Sequence, residues 1–330
     1  MKSLLLATLI GLLFLSGCSS KKVFEPQNVE KSWEKYGDLD ASIIDITSDL
    51  ALLENRKVLS KKEPLDLEIA PSFRLIGSSD GWIISADMDG NVTLDFIADS
   101  SLQEKFQLKK TVASASVQND ILAVLFADNE MALYSISTKE LLFKEQGHPP
   151  LIVDSRIVSP YFMSDLVLFL TLDGKIVIVN SSLKKKLRTI IVSSEEHFNN
   201  IIYFNVVDDK LIAATGHTLL SMAQKEIRVD HEIRSTVYDG ANIFIATKQG
   251  EIISLTPDLQ VNAKVKFPFA HFLGLIHHNE KIYALEKEGY LIELQKDLLS
   301  YEIYEADVAD GYVLSGDAVF YTDDEYLSLD

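Results

Sequence analysis

Seven hairpin-like units recur along this sequence with a nearly constant spacing. Each unit is a short apolar run, a turn, and a second run whose apolar residues alternate or continue. The turns centre on Asp89-Gly90, Asn129-Glu130, Asp173-Gly174, Gly216-His217, Gln249-Gly250, Glu288-Gly289 and Asp324-Glu325, which lie 40, 44, 43, 33, 39 and 36 residues apart. Glycine, Asn and Asp supply the positive φ that tight hairpin turns require. A period near 40 residues is typical of four-stranded propeller blades, so the sequence predicts an all-β propeller.

The number of hairpins predicts seven blades, with eight as the alternative. The segment Ser42 to Leu59 either decorates the ring or contributes strands to an eighth blade. The last unit reaches Asp330 just after its third strand, so an earlier segment must supply its outer strand. Pro64 to Ile69, "PLDLEI", has the alternation of a strand and is predicted to close the ring.

The N-terminus has the pattern of a secretory signal followed by a lipid anchor. Leu4 to Leu15 form an apolar run of about a dozen residues, too short to span a bilayer. Leu15, Ser16 and Gly17 then precede Cys18, as in a bacterial lipobox, and Cys18 is the sole cysteine. Its position favours lipid attachment over a free buried thiol, and a single cysteine allows no internal disulfide.

These features predict three segments and one cellular location. Residues 1–17 are a lipoprotein signal peptide, 18–40 a lipidated flexible tether, and 41–330 the propeller domain. The residue after the cysteine is Ser19 rather than Asp, which in bacterial lipoproteins favours the outer membrane, here at its periplasmic face. The net charge of −18 makes nucleic acid an unsuitable partner.

Residues 132–147, "ALYSISTKELLFKEQG", resemble a degenerate quinoprotein (PQQ-type) propeller repeat, A-x-D-x-x-T-G-K-x-x-W-x-x-x-x-G. Ala132, Lys139 and Gly147 keep the pattern, whereas Tyr134 replaces the Asp and Leu142 replaces the Trp. Ser137-Thr138 stands where the repeat has Thr-Gly. The resemblance therefore predicts that this stretch keeps the fold of such a repeat.

With the lipobox and the tether, these repeats resemble the BamB-type lipoproteins of the outer-membrane β-barrel assembly machinery. The resemblance implies a non-catalytic scaffold without a cofactor, whose partners are the barrel-assembly core protein and unfolded outer-membrane proteins. Edge-strand pairing and docking of a loop-built face are two routes to such binding. The loops Gly147 to Pro150 and Phe267 to Phe269 are candidate contacts, although both could be simple connections between blades.

The residues give little evidence for a cofactor site, a metal site or a catalytic site. A quinoprotein site needs a stacking Trp and a calcium site, but the chain has two Trp, Trp33 in the tether and Trp82 in a strand. Asp87 to Asn91 fits a hairpin turn better than a calcium loop, and His277-His278 would point to opposite faces of a strand. Ser182 to Thr189 is a basic run typical of a solvated hairpin. No catalytic residue, cofactor or metal is predicted.

The predicted function is a BamB-like assembly scaffold at the outer membrane. The alternative is an envelope lipoprotein propeller that binds another ligand, either a host protein or a cell-wall component. A propeller enzyme, such as a quinoprotein or a lactonase-like hydrolase, is the less favoured third interpretation.

Overall fold

A computed structural model describes residues 22–99 and 101–330, and within them the chain is an all-β propeller, which confirms the predicted fold class. Its strands form eight four-stranded sheets, and every strand pair is antiparallel. Among these residues no helix is both long and apolar enough to span a membrane.

The strands follow one another in chain order through the blades. Strand β1 (Tyr36–Asp38) precedes the first complete sheet. Blades 1 to 4 are built from β2 (Ile43–Ile46), β3 (Leu50–Leu53), β4 (Lys57–Ser60) and β5 (Pro64–Glu68); β6 (Arg74–Ser79), β7 (Trp82–Ala86), β8 (Asn91–Phe96) and β9 (Gln103–Gln107); β10 (Val112–Gln118), β11 (Ile121–Phe126), β12 (Glu130–Ser135) and β13 (Leu141–Gln146); β14 (Tyr161–Met163), β15 (Leu166–Leu170), β16 (Lys175–Asn180) and β17 (Lys185–Ile191). Blades 5 to 8 are built from β18 (Tyr203–Val207), β19 (Lys210–Ala214), β20 (Thr218–Met222) and β21 (Glu226–Asp230); β22 (Ile233–Tyr238), β23 (Ile243–Thr247), β24 (Glu251–Leu255) and β25 (Val261–Lys266); β26 (Phe272–His278), β27 (Lys281–Glu286), β28 (Tyr290–Gln295) and β29 (Tyr301–Glu305); β30 (Val313–Ser315), β31 (Val319–Thr322) and β32 (Glu325–Ser328).

The ring has eight blades, so the preferred prediction of seven is wrong. Strands β2 to β5 form a complete blade from the segment that was predicted to decorate the ring or to begin an eighth blade. In its central turn, the residue with a positive φ is Arg56, at 70°, where five of the other central turns have Gly or Asn. The Arg56 guanidinium donates hydrogen bonds to the carbonyls of Ile69 and Ala70, at 3.1 and 2.7 Å, which help to hold this turn. The turn has Asn55 but no glycine, so its residue signature is weaker than that of the glycine-marked turns.

Strand β1 completes blade 8, and the predicted closing strand does not. β1 pairs with β32, with Tyr36 opposite Leu327 and Asp38 opposite Glu325. The segment predicted for this role, Pro64 to Ile69, instead contributes β5, the outer strand of blade 1, where Leu65 lies opposite Val58. The alternation of apolar and polar residues cannot by itself distinguish the two segments, because either of them could form the outer strand of a blade.

One backbone hydrogen bond recurs in all eight blades and directs the chain from each blade to the next. The residue after the outer strand donates its N–H to a carbonyl in the turn between the second and third strands. We call this bond the turn clamp. The donor and acceptor pairs are Ile69 and Arg56, Leu108 and Gly90, Gly147 and Asn129, Val192 and Gly174, His231 and His217, Phe267 and Gly250, Ala306 and Gly289, and Leu39 and Asp324, at 2.7 to 3.0 Å.

The turn clamp explains why glycine and asparagine mark the turns. Six of its acceptors have a positive φ, the conformation in which glycine is least strained: Arg56, Gly90, Asn129, Gly174, Gly250 and Gly289. Because the clamp joins each central turn to the following inter-blade linker, these turns and linkers all lie on one face of the ring. We call it the linker face; the opposite side, with the other turns, is the hairpin face.

The hydrophobic core lies between the blades. Eight apolar clusters are found in the described chain, and each combines buried side chains of two consecutive blades. One of them joins Leu314 and Tyr321 of blade 8 to Ala51 and Leu59 of blade 1. Full burial of one large apolar side chain contributes about 1.5–3 kcal/mol, so these seams hold the ring together without any disulfide.

Part of the segment predicted as a flexible tether lies against the ring. The ring of Phe24 is buried and packs edge-on against Phe267 and Tyr290, with centroids 6.0 and 5.5 Å apart. Trp33 donates its indole N–H to the carbonyl of Ser328 at 2.9 Å and packs against Tyr304. Cys18 and the predicted lipobox lie outside the described residues.

The quinoprotein-like stretch forms the outer half of blade 3. It runs from β12 through a turn to β13 and ends at Gly147, the clamp donor. Lys139 has a φ of 62° in the turn, and Phe143 packs against the seam between blades 3 and 4. The stretch turns one strand into the next and docks one blade on its neighbour, as its resemblance to a repeat predicts.

Substituting Gly147 tests the turn clamp. A Cβ at Gly147 would lie 2.4 Å from the carbonyl oxygen of Asn129, so Gly147→Ala must displace the backbone. We expect a loss of about 1–3 kcal/mol in the free energy of unfolding, the usual cost of overpacking, measured by urea denaturation. Gly216→Ala is the matched control, because its Cβ would meet a carbonyl at 3.3 Å. Equal unfolding midpoints for both variants would contradict this role of Gly147.

Candidate functional site

Blade 4 is flanked by the two longest linkers of the linker face. They span residues 147–160 and 192–202, whereas the linker between blades 5 and 6 consists of residues 231–232. Long loops without secondary structure are uncommon in compact domains and frequently carry function. These two linkers are therefore the first candidates for a binding site, and we call them the blade-4 loops.

The blade-4 loops are tied to each other by hydrogen bonds. The N–H of Phe198 donates to the carbonyl of Ile152 at 3.0 Å. The fully buried Asn200 accepts a bond from the N–H of Asp154 at 2.6 Å and donates to the carbonyls of Asp154 and Arg156, at 3.2 and 2.9 Å. These bonds hold the pair of loops in one conformation, which lowers the entropic cost of binding a partner.

Three large apolar side chains of these loops face solvent. Leu151 is 73% exposed, Ile152 48% and Phe198 46%. We call them the apolar patch. Phe198 has a φ of 52°, which is rare and strained for an aromatic residue. Strain of this kind costs about 1–3 kcal/mol and concentrates at functional sites, so both the exposure and the backbone of Phe198 indicate a contact residue.

Further features of the linker face fit a protein-binding surface. Phe269, in the linker between blades 6 and 7, is 56% exposed and also has a positive φ, 67°. Glu195 and Glu196 are exposed beside Phe198, and neither forms a salt bridge with another described residue. Exposed apolar groups within a polar rim are typical of protein interaction sites.

A channel of about 1210 Å³ runs through the centre of the ring. The first strand of every blade contributes to its wall, with Ile46, Ser78, Ser116, Tyr161, Tyr203, Thr236, His277 and Leu314. The volume exceeds the roughly 300–1,000 Å³ of typical ligand pockets. The channel is therefore large enough to admit a small molecule.

The first blade-4 loop also enters this channel. Its segment 155–160 contributes to the channel wall. Ser114 and Ser116 of blade 3 donate hydrogen bonds to the carbonyls of Val158 and Pro160, at 3.4 and 2.6 Å. On the other side, a guanidinium N–H of Arg156 donates to the carbonyl of Arg234 in blade 6. The loop thus connects the apolar patch on the surface to the interior of the ring.

Arg156 is neutralised by a carboxylate of its own loop. Its Nε and Nη2 both donate to Asp154. Burial alone would raise the pKa of the Asp154 carboxyl, but the hydrogen bonds and charge of Arg156 outweigh burial and hold that pKa below its usual value. The pair therefore stays ionised at neutral pH and anchors the loop.

The residues singled out in the sequence occupy different parts of the ring. Gly147 to Pro150 and Phe267 to Phe269 both lie on the linker face. Asp87 accepts the backbone N–H groups of Asp89 and Asn91 within a hairpin turn. Ser182 to Thr189 spans a turn of the hairpin face and β17. In residues 22–99 and 101–330, no three metal-binding side chains come together.

The other candidates are dispersed as well. His277 lines the channel, whereas His278 lies 2.8 Å from the carboxylate of Asp330. Trp82 packs on Phe96, with ring centroids 5.0 Å apart, and neither Trp82 nor Trp33 lines the channel. Leu151, Ile152 and Phe198 were not predicted from the sequence. The long interval between the strand runs on either side of Pro149 was the available signal.

The geometry defines an eight-bladed propeller whose longest loops form a candidate binding face. No protein-family model matches the chain. Plasminogen-binding protein PgbB from Helicobacter pylori strain J99 is 30% identical over 346 residues, which cover 91% of this chain and 64% of PgbB. The chain thus spans less than two thirds of the length of this curated relative.

Solved structures show the same fold. BamB from Moraxella catarrhalis superposes with a TM-score of 0.67 at 12% identity, over 89% of this chain and 98% of BamB. The C-terminal WD40 domain of Sif2 gives a TM-score of 0.66 at 11% identity, over 92% and 100%. Likeness at this identity shows the propeller fold alone. The predicted BamB-like architecture is confirmed at that level, and the similarity to PgbB does not favour BamB over other propellers.

Removing the Asn200 side chain tests the link between the blade-4 loops. Asn200→Ala leaves the backbone of Asp154 and Arg156 without buried partners. A cost of about 1–2 kcal/mol corresponds to a roughly 5- to 30-fold larger open population. We expect trypsin to cleave after Arg156 faster by this factor, measured by mass spectrometry. Asn262→Ala, on an exposed outer strand, is the control. Unchanged cleavage would show that Asn200 does not hold the loop.

Proposed function

We propose that this chain is a lipid-anchored cell-envelope propeller that binds an extracellular protein, with plasminogen as the first candidate. The observation that carries the proposal is the 30% identity to plasminogen-binding protein PgbB over 91% of the chain. This corresponds to the alternative in the sequence analysis, an envelope propeller that binds a host protein.

The linker face supplies a physical basis for such binding. The apolar patch can be desolvated by a partner, and a few large apolar or aromatic contacts commonly carry most of the energy of an interface. The loops that present the patch are already ordered by Asn200. The neighbouring Glu195 and Glu196, on a chain with a net charge of −18, favour a partner surface with Lys or Arg around an apolar centre.

The anchor and the location belong to the same proposal. Acylation of Cys18 would tether the chain to the outer membrane, since each buried methylene of a lipid chain contributes about 0.8 kcal/mol. An extracellular partner requires display at the cell surface, whereas an assembly scaffold would act in the periplasm. The assembly function has no support beyond the shared fold at 12% identity.

Binding of plasminogen by the purified full chain tests the function and its site. We expect the double variant Leu151→Ser, Phe198→Ser to bind roughly 30-fold more weakly, because two contact side chains contribute about 1 kcal/mol or more each. Biolayer interferometry with immobilised plasminogen measures this difference. Leu299→Ser is the matched control, because Leu299 is 83% exposed on the hairpin face.

The outcomes separate the two parts of the proposal. If the unmodified chain does not bind plasminogen, the proposed ligand is wrong. If the double variant binds as tightly as the unmodified chain, the ligand is right and the assigned face is wrong.

Substituting Cys18 tests the anchor. Cys18→Ala should abolish incorporation of labelled palmitate and move the chain from the membrane fraction to the soluble fraction, because it removes the acylated thiol. Ser19→Ala should keep both properties. Protease treatment of intact cells then reports display, since the unmodified chain is expected to be cleaved. A Cys18→Ala protein that stays labelled and membrane-bound would refute lipid attachment at this residue.

A further inference from the structure

A tight turn in the linker between blades 6 and 7 carries an exposed phenylalanine. The N–H of Ala270 donates to the carbonyl of Phe267 at 3.1 Å, and Pro268 and Phe269 lie between these two residues. We call residues 267–270 the Phe269 turn. Proline followed by a residue of positive φ is the arrangement of a type II turn, which favours glycine or asparagine at the second central position. Phe269 occupies that position at a φ of 67°.

Backbone conformation and exposure both make phenylalanine unfavourable at this position. A positive φ strains a bulky residue, and 56% of the Phe269 side chain is in contact with water. The neighbouring Phe267 is different, because it is only 2% exposed and packs edge-on against Phe272 and Tyr301. Phe267 therefore stabilises the fold, whereas the ring of Phe269 is available to a partner outside the chain.

The N-terminal end of the described chain lies against the same turn. Phe24 is buried in the seam between blades 6 and 7. Two residues earlier, the amine of Lys22 lies 5.4 Å from the centre of the Phe269 ring, in a cation–π contact. Val23, between these two residues, is 36% exposed. The chain before Lys22 is therefore joined to the ring beside the Phe269 turn.

The proposed lipid attachment site is close to this turn along the chain. Cys18 precedes Lys22 by four residues, and four residues span at most about 14 Å when fully extended. The acyl chains of a lipidated Cys18 would lie in the bilayer, so the bilayer surface would be within reach of the Phe269 turn. A connection this short also gives the turn a high effective concentration at the membrane.

We propose that the Phe269 turn is a membrane contact, in which the ring of Phe269 inserts at the boundary between the lipid headgroups and the acyl chains. This inference rests on the proposed acylation of Cys18. An aromatic ring beside a lysine suits that boundary, because the ring enters the apolar layer while the amine of Lys22 stays with the phosphates. Exposed apolar groups with a polar rim are typical of membrane contacts as well as protein contacts.

The contact gives the anchored ring one orientation. The seam between blades 6 and 7 faces the membrane, while the blade-4 loops belong to linkers two and three positions away around the ring. The apolar patch of Leu151, Ile152 and Phe198 therefore stays accessible to a protein partner. The lipid and the Phe269 turn together hold the ring at two neighbouring points, which a single flexible tether does not do.

Tryptophan fluorescence of the acylated full chain in phosphatidylcholine vesicles tests the contact. In Phe269→Trp, most of the added emission should be lost when the phosphatidylcholine carries bromine on its acyl chains, because bromine quenches an indole only at contact. The unmodified chain, with Trp33 and Trp82, gives the background emission. Leu299→Trp is the matched control, because Leu299 is 83% exposed on the hairpin face. Its added emission should not change.

Hydrogen–deuterium exchange tests the contact without a substitution in the turn. Exchange in residues 267–271 should be slower in the vesicle-bound chain than in the soluble Cys18→Ala chain, because the membrane covers the exposed turn. If Phe269→Trp fails to fold, this measurement decides the question.

Flotation with the vesicles and the mass of the acylated N-terminal peptide report the anchor separately. If the chain carries the lipid and floats with the vesicles, but neither quenching nor slower exchange is observed, the anchor is right and the membrane contact is overturned. If Cys18 carries no lipid, the proposed anchor is wrong, and the contact that rests on it is overturned as well.

Discussion

The turn clamp is the interaction on which the rest of this structure depends. In each blade, one backbone N–H just after the outer strand bonds to a carbonyl of the central turn, as between Leu108 and Gly90. This bond fixes where a blade ends and where the chain leaves for the next inner strand. Repeated eight times, it places all linkers on one face and leaves the apolar faces of the blades to pack against one another. The ring is closed by the pairing of β1 with β32 and by apolar packing between blades 8 and 1.

The proposed function rests on the two linkers that are longer than the others. A short linker only connects one blade to the next. The blade-4 loops, in contrast, contribute both to the exposed surface and to the wall of the channel. Leu151 and Phe198 project into solvent, while segment 155–160 of the same pair lies in the channel. The hydrogen bonds of Asn200 and the ion pair of Asp154 and Arg156 join these two regions. A rigid ring thus carries a loop-built face of its own, as many binding proteins do.

The sequence predicted the fold because the clamp has a residue signature. Gly90, Gly174 and Gly250 mark positive φ at regular intervals, and the strand patterns between them are strong. Blade 1 was not counted because Arg56 adopts the same conformation with side-chain hydrogen bonds that no local pattern reveals. The closing segment was misassigned because β1 is three residues long, shorter than a recognisable alternation.

The candidate site was predicted only in part. The candidate segment Gly147 to Pro150 belongs to the first blade-4 loop. Phe198 could not be assigned to the same site, because it lies 46 residues after Ile152, the residue whose carbonyl accepts its N–H.

Hydrogen–deuterium exchange of the full chain with and without plasminogen tests whether the linker face at blade 4 is the binding face. We expect slower exchange in residues 147–160 and 192–202 when plasminogen is bound, with turns of the hairpin face such as 181–184 unchanged. Protection of the hairpin face or of the outer strands, with both blade-4 loops unchanged, would contradict it.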